Sequence, residues 1–275
     1  ARRHPGWGVL GARIDLIPHQ LKVAELASER RTPRLLLADE VGLGKTIEAG
    51  MILAQQLATG RARRVLVLTP ESLVHQWFVE LLRRFNLRFA LFDEERCEAI
   101  TEVDTACNPF EDEQCVIASV GWLAHSKKRA QQLLEAGWDL LVVDEAHHLS
   151  WAPDAPSREY SLVESLAQAT PGVILLTATP EQLGRSGHFA RLRLLDPARY
   201  ADLDAFIAES DRHLALSQVT EALLEARAPD AAGLKLLEAL FHDEPQTLAT
   251  ALPKIEAGDE AAAWKLVEAL IDRHG

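Results

Sequence analysis

Three cysteines (Cys97, Cys107 and Cys115) are all that this 275-residue sequence contains, and none has a partner at metal-ligand spacing. That excludes a disulfide-stapled scaffold and a cysteine-built zinc module, and fits a reducing cytoplasm. No apolar run reaches the length that crosses a bilayer, no secretory signal is visible, and no repeat period recurs. An initiator methionine is missing too, since residue 1 is alanine, and the sequence reads as cut at both ends. Positive charge is scarce overall, the net charge being −12, which argues against a polyanion partner contacted by the whole surface.

The charge is unevenly spread. Residues 1–92 carry 14 Lys/Arg against 8 Asp/Glu, a surplus of 6 positive, whereas residues 201–275 carry 6 against 15, a surplus of 9 negative. The stretch 93–113 holds 9 acids against Arg96 alone. Local basic groups at Arg61, Arg63 and Arg64, at Arg83, Arg84 and Arg88, and at Lys127, Lys128 and Arg129 are candidates for phosphate-backbone contact. Each also fits a solvated turn or helix end, which is the favoured reading for any one of them. With 48% hydrophobic residues the chain can bury a full core.

Two segments carry chemistry. In LLLADEVGLGKTIEAG (Leu35 to Gly50) an apolar strand runs into Asp39, Glu40, Val41, Gly42, Leu43 and Gly44, and a helix with an apolar stripe follows Lys45. Glycines at 42 and 44 let backbone N–H groups turn inward onto phosphate oxygens at a helix N-terminus. Lys45 would reach the β and γ phosphates and the Thr46 hydroxyl would ligate magnesium. The strict phosphate-loop pattern wants glycine where Asp39 stands, and a bare GLGKT also fits a helix starting after a glycine-rich turn. In LLVVDEAHHL (Leu140 to Leu149) a β-branched run of the kind buried in a parallel sheet ends in two carboxylates. Asp144 would hold magnesium, and Glu145 would orient and help deprotonate an attacking water. A lone Asp-Glu there also fits a helix N-cap; the two segments together read as a nucleoside triphosphatase using ATP and Mg2+. His147 and His148 invite a transition-metal site, but neighbouring histidines on a helix are expected to point apart.

The order of elements predicts an α/β fold with a mainly parallel sheet flanked by helices. Expected strands are 34–38, 64–68, 88–92, 115–119, 140–143 and 172–180. Expected helices include 18–30, with Leu21, Ala24 and Leu26 inward, then 47–57, 71–85, one from 120 through 134, and 157–169. Residues 93–113 show no clear element. Beyond about residue 196 only helical spacing remains, in pieces 201–209, 214–226, 231–241 and 260–273, so residues 1–200 are expected to form one lobe and 201–275 a helical extension. Trp77, Trp122 and Trp138 are expected to pack in the interior rather than stack on bases.

These motifs, in this order, resemble those of superfamily 2 helicase-like ATPases, and DEVGLGKT resembles the SWI/SNF-type branch, where Asp39 is the usual residue. The resemblance implies a RecA-like P-loop NTPase lobe. It implies that Gln20 of LIPHQ reads adenine, that Thr69 and Pro70 of LVLTP and Ser119 of VIAS lie near nucleic acid, and that Thr177, Ala178 and Thr179 couple the nucleotide site to the nucleic-acid path, with His147 bonded across to them. RRFNLRFALFD, DAPSREY and LLTATPEQLGRSGHFARLRLLDP are similar to bacterial RNA polymerase-associated members of the branch. This implies double-stranded DNA or DNA/RNA as track, RNA polymerase core as partner, no membrane, and a nucleoid-associated place in the cytoplasm. A superfamily 2 motor also needs a second lobe with an arginine worth roughly a thousandfold in turnover, so this stretch alone is expected to hydrolyse ATP poorly. A DEAH-type helicase, a restriction-enzyme translocase lobe and a non-hydrolysing, nucleotide-dependent polymerase-binding module stand as alternatives.

Overall fold

A computed structural model describes residues 12–14, 17–38, 44–177, 184–225 and 227–274, which fall into two compact units, 1–201 and 202–275. In the first unit six strands, β1 (Arg34–Ala38), β2 (Val65–Thr69), β3 (Ala90–Phe92), β4 (Cys115–Ser119), β5 (Leu140–Val143) and β6 (Gly172–Thr177), form one sheet in the order β1-β6-β5-β2-β4-β3. Every neighbouring pair is parallel. The helices are α1 (Pro18–Glu29), α2 (Lys45–Ala58), α3 (Val74–Phe85), α4 (Glu94–Val103), α5 (Val120–His125), α6 (Lys127–Glu135), α7 (Arg158–Ala169) and α8 (Gly184–Leu195).

Successive strand residues point to opposite faces, and the sequence is apolar at both parities. Leu66, Leu68, Val116, Ala118, Leu141, Val143, Val173 and Leu175 therefore enter one core, which α4 to α8 cover through Cys97, Leu123, Leu133, Tyr160, Leu166 and Ala190. Val65, Val67, Ile117, Leu140, Val142, Ile174 and Leu176 enter the other, covered by α1 to α3 through Ala24, Ala27, Ile52, Leu53, Trp77, Leu81 and Phe85. Arg34, at the start of edge strand β1, closes one end. Its guanidinium donates to the carbonyls of Ala167 and Thr170 at the end of α7 and of Leu194 and Leu195 at the end of α8, where helix carbonyls lack intrahelical donors.

The differences from expectation have local causes. On α1, Ala27 and Ser28 turn inward while Leu26 stays half exposed. The acidic stretch contains α4, because acids suit the first turn of a helix: Asp93 caps it by accepting from Arg96 N, followed by Glu94 and Glu95. The helix expected from 120 through 134 breaks at Ser126, which is extended (φ −116°, ψ 99°) and caps α6 by accepting from Arg129 N. Residues 71–73 form a 3-10 turn before α3. α8 was not anticipated.

The second unit consists of α9 (Leu203–Leu224), α10 (Ala231–Leu240), α11 (Pro245–Glu256) and α12 (Glu260–His274). α9 is one continuous helix where the apolar spacing indicated two pieces, and α11 went unread because Pro253 lies inside it. Val219, Leu223, Leu237, Phe241, Ile255, Leu266 and Val267 form its core. Arg273 of α12 stacks over Phe241 and donates to the Leu240 carbonyl, joining the last helix to α10.

Helices α2 and α3 approach closely only because residue 50 has no side chain. A Cβ on Gly50 would lie 2.2 Å from Cε2 of Phe85. Gly50→Ala gains up to about 1 kcal/mol of helix propensity but overpacks the core at about 1–3 kcal/mol. The single variant should melt lower than the parent, and Phe85→Leu in the same chain should restore part of the loss, read by thermal unfolding of both variants and the double mutant.

Candidate functional site

The parallel sheet ends all six strands on one edge, and the chemistry-bearing residues collect there. Asp39 to Leu43 of the glycine-rich loop lie outside the described residues. The loop's last residue, Gly44, takes the left-handed conformation (φ 90°, ψ 34°) and caps α2, with Lys45 and Thr46 as the first helical residues. Gly44 is required twice over, because a Cβ there would also meet Nε2 of Gln20 at 2.5 Å. Gln20 is buried, and the adjacent His19 places Nε2 3.1 Å from Oε1 of the fully buried Glu48, one turn into α2. The segment PHQ of α1 thus grips the start of α2 with two consecutive side chains.

Asp144 follows β5, and its N–H donates to the Leu68 carbonyl, extending the ladder with β2. Its Oδ1 accepts from Glu145 N at 2.9 Å and its Oδ2 from the Trp77 indole Nε1 at 2.7 Å. Burial pushes its carboxyl above the ordinary value; the Trp77 and Glu145 N–H donors and the charge of Lys45 oppose the rise. Glu145 is left-handed (φ 49°, ψ 41°), one of two such non-glycine residues among those described. A 3-10 turn, Ala146–His148, follows.

This turn revises one expectation. The rings of His147 and His148 do not point apart but lie 4.1 Å centroid to centroid, and Glu145, His147 and His148 present ligand atoms within 4.8 Å of one another. His147 Nδ1 sits 2.9 Å from Glu145 Oε2 and makes no hydrogen bond to the Thr177 hydroxyl, which is buried without a hydrogen-bond partner among the described residues. Burial, ahead of the neighbouring His148, holds the His147 imidazole below its ordinary value, against the pull of Glu145. Ala178 and Thr179 lie outside the described residues. Thr177 ends β6, the strand between β1 and β5, and so lies between Ala38 at the end of β1 and the carboxylates after β5.

Two residues of the site escaped sequence reasoning. Trp77 reads as core, which it is, yet its N–H reaches Asp144. Arg191, in α8, is buried and donates to the carbonyls of Ala146, His147 and Leu149 at 2.9–3.0 Å. One guanidinium therefore satisfies the turn that carries Glu145. An arginine inside the apolar run FARLRLL was the available signal.

A cavity of about 390 Å³ is lined by Gly44, Lys45 and Thr46, by Asp144 and Glu145, and by Gln76, Trp77, Glu80 and Arg84 of α3. The loop and carboxylate segments, far apart in sequence, thus face one space. The other positions are placed differently. Thr69 and Ser119 pair in register at the ends of β2 and β4, and both are buried. Ser119 Oγ accepts from Trp122 N and caps α5. Pro70 begins the turn after β2. Much of the basic character is structural: Arg61 donates to the Ser28 carbonyl, Arg64 donates to the Gly137 and Phe110 carbonyls and stacks over Trp138, and Arg129 is buried against Glu94. Trp138 is buried, donating to the Leu133 carbonyl, and Trp122 donates to Glu94.

The chain matches the model of the SNF2-related domain over residues 19–243. It is 53% identical over 277 aligned positions to the RNA polymerase-associated protein RapA of Vibrio cholerae serotype O1 (strain M66-2), covering 99% of this chain and 28% of that protein. A protein of the same name from Yersinia enterocolitica is 53% identical over 275 positions, again 28% of its length. The chain thus spans between a quarter and a third of the curated relatives it matches. Among solved structures it is similar to the Sulfolobus solfataricus SWI2/SNF2 ATPase core in complex with dsDNA, with a TM-score of 0.57 and 24% identity over 72% of this chain and 39% of that one. The same core without that description of DNA gives a TM-score of 0.55. These two likenesses bear out the expected RecA-like fold.

A left-handed non-glycine residue costs about 1–2 kcal/mol. Replacing Glu145 by glycine relieves that cost and replacing it by alanine does not, while both remove the carboxylate. Glu145→Gly should therefore unfold at higher temperature than Glu145→Ala, by an amount worth about 1 kcal/mol; equal melting temperatures would show that the backbone at 145 is unstrained.

Proposed function

The chain belongs to the SNF2-related family, and from that premise we propose that it is the ATP-binding lobe of a RapA-like, RNA polymerase-associated ATPase that translocates on double-stranded nucleic acid and helps recycle polymerase. The observation that carries this reading is the single cavity shared by Gly44–Lys45–Thr46 and Asp144–Glu145.

The residues fit ATP and magnesium. Gly44 and the first residues of α2 present the helix N-terminus to the cavity, and Thr46 and Asp144 offer hard oxygen donors of the kind magnesium takes. Held by Thr46 and Asp144, magnesium would supply charge neutralisation at the phosphates. Lys45, at the N-terminus of α2, holds the β and γ phosphates by charge-assisted hydrogen bonds, helped by the helix end. Asp39 to Leu43 supply the remaining backbone of the loop. Gln20, buried against Gly44, positions that loop and reads the adenine. Glu145 orients the attacking water and takes its proton, and His147, whose Nδ1 lies 2.9 Å from Glu145 Oε2, relays the state of the site toward Thr177 and Thr179. Thr69, Pro70 and Ser119, at the same sheet edge, mark the side on which nucleic acid runs.

Residues 202–275 serve as a helical extension toward a second lobe, which would bring the arginine that completes the transition state. RNA polymerase core is the proposed partner, duplex DNA or a DNA/RNA hybrid the track, and the bacterial cytoplasm, at the nucleoid, the location. In isolation the chain should bind ATP weakly and turn it over poorly.

In the full natural protein Glu145→Gln should retain ATP binding while single-turnover hydrolysis falls by about 10²–10⁴-fold. Lys45→Ala should weaken nucleotide affinity by about tenfold or more, the worth of one hydrogen bond to a charged group; unaltered affinity or unaltered turnover would sink the respective role. The full protein should hydrolyse ATP on duplex DNA without displacing a strand from a tailed duplex. Strand displacement would favour a helicase instead, and polymerase capture with no ATPase a binding module.

A further inference from the structure

We propose that Trp77 is a positioning residue for the metal-binding carboxylate: its indole N–H fixes Asp144 so that the lobe takes magnesium together with nucleotide. The inference rests on the nucleotide-site reading above and goes beyond it by adding a residue from outside both motifs.

The geometry distinguishes Trp77 from Trp122 and Trp138 of the same unit. A buried indole needs an acceptor, and a backbone carbonyl satisfies it, as the Leu133 carbonyl does for Trp138. Trp122 takes Glu94, a carboxylate engaged by Arg129 away from the cavity. Trp77 instead spends its N–H on Oδ2 of Asp144, at the 2.7 Å typical of a charge-assisted bond, while lining the same cavity as Lys45 and Thr46. With Glu145 N on Oδ1, each carboxylate oxygen has one fixed donor, so the group cannot swivel about its terminal torsion. A carboxylate has room for further partners on both oxygens, and those sites are thereby aimed before any cation arrives.

Position is imposed from one side. The Asp144 N–H is held by Leu68 of β2 and its side chain by Trp77 of α3, the helix that follows β2 through Pro70 and the 3-10 turn. Asp144 is thus bound at backbone and side chain to one β2–α3 unit, and Trp77 itself is locked in the core with Leu81 and Phe85. Preorganised ligands bind a cation without the cost of ordering them first.

The test uses the full natural protein and a fluorescent ATP analogue, titrated in EDTA and at increasing Mg2+. Trp77→Phe removes the donor and most of the pyrrole ring; benzothienylalanine at 77, placed by codon suppression, keeps the shape and replaces only the N–H by sulfur. Both should raise the Mg2+ needed for half-maximal binding by about tenfold beyond any change of affinity in EDTA, the worth of one charge-assisted hydrogen bond. If the benzothienyl variant has the parent's Mg2+ requirement, the positioning role is wrong, whether or not Trp77→Phe folds. If the parent protein binds no nucleotide, or binds it indifferently to Mg2+, the nucleotide-site reading has failed instead.

Discussion

Parallel strands cannot return directly to their neighbours; each must be followed by a crossover that climbs a face of the sheet and re-enters at the other end. Everything else in the first unit depends on that constraint. Both faces must be covered, so strands are apolar at both parities, and α1 to α3 and α4 to α8 divide the two faces between them. All carboxyl ends emerge on one edge, so Ala38 of β1, Thr69 of β2, Ser119 of β4, Asp144 after β5 and Thr177 of β6 share that edge without any being close in sequence. The crossover order inserts β6 between β1 and β5, which sets Thr177 between the end of β1 and the carboxylates.

The site departs from local preference, and the surrounding packing holds it there. Asp144 is ionisable and buried, Glu145 is a left-handed glutamate, and the carbonyls of Ala146, His147 and Leu149 turn inward rather than toward water. Two of these departures have a direct compensation: two N–H donors for the Asp144 carboxylate, and the Arg191 guanidinium for the carbonyls. Arg34 performs a similar service at the opposite end of β1, where the last turns of α7 and α8 converge. Such strain persists when the environment over-determines it, and it concentrates where chemistry is done.

Much of this was legible beforehand. The runs LLLA, VLVLT, CVIAS and LLVV are strands within a residue of expectation, and the strand expected over 172–180 is seen over Gly172–Thr177, residues 178–180 lying outside the described ones, because a strand buried on both faces cannot avoid a continuous apolar run. Gly44 announced the loop because a left-handed helix cap there tolerates little else. The failures were of another kind. Leu26 is exposed although leucine, since the face of α1 is chosen by α2 rather than by hydropathy. α4 was obscured by its own charge, and α9 by polar residues that interrupt its stripe without ending the helix. The basic groups, attractive as phosphate contacts, include Arg61, Arg64 and Arg129, which are committed to carbonyls and to Glu94.

By itself the sequence determined the alternation of strand and helix, the two chemical segments, and the likeness to the SWI/SNF-type branch, because these rest on short-range patterns of residue type. The tertiary structure alone decided which side chains serve them. Trp77 and Arg191 are a core tryptophan and a helical arginine in any one-dimensional reading. They become ligands of Asp144 and of the turn beyond Glu145 only because β2 lies beside β5 and α8 packs against the turn that follows it. Hydrogen bonds between residues so distant in sequence are specified by packing, and packing is a property of the whole sheet.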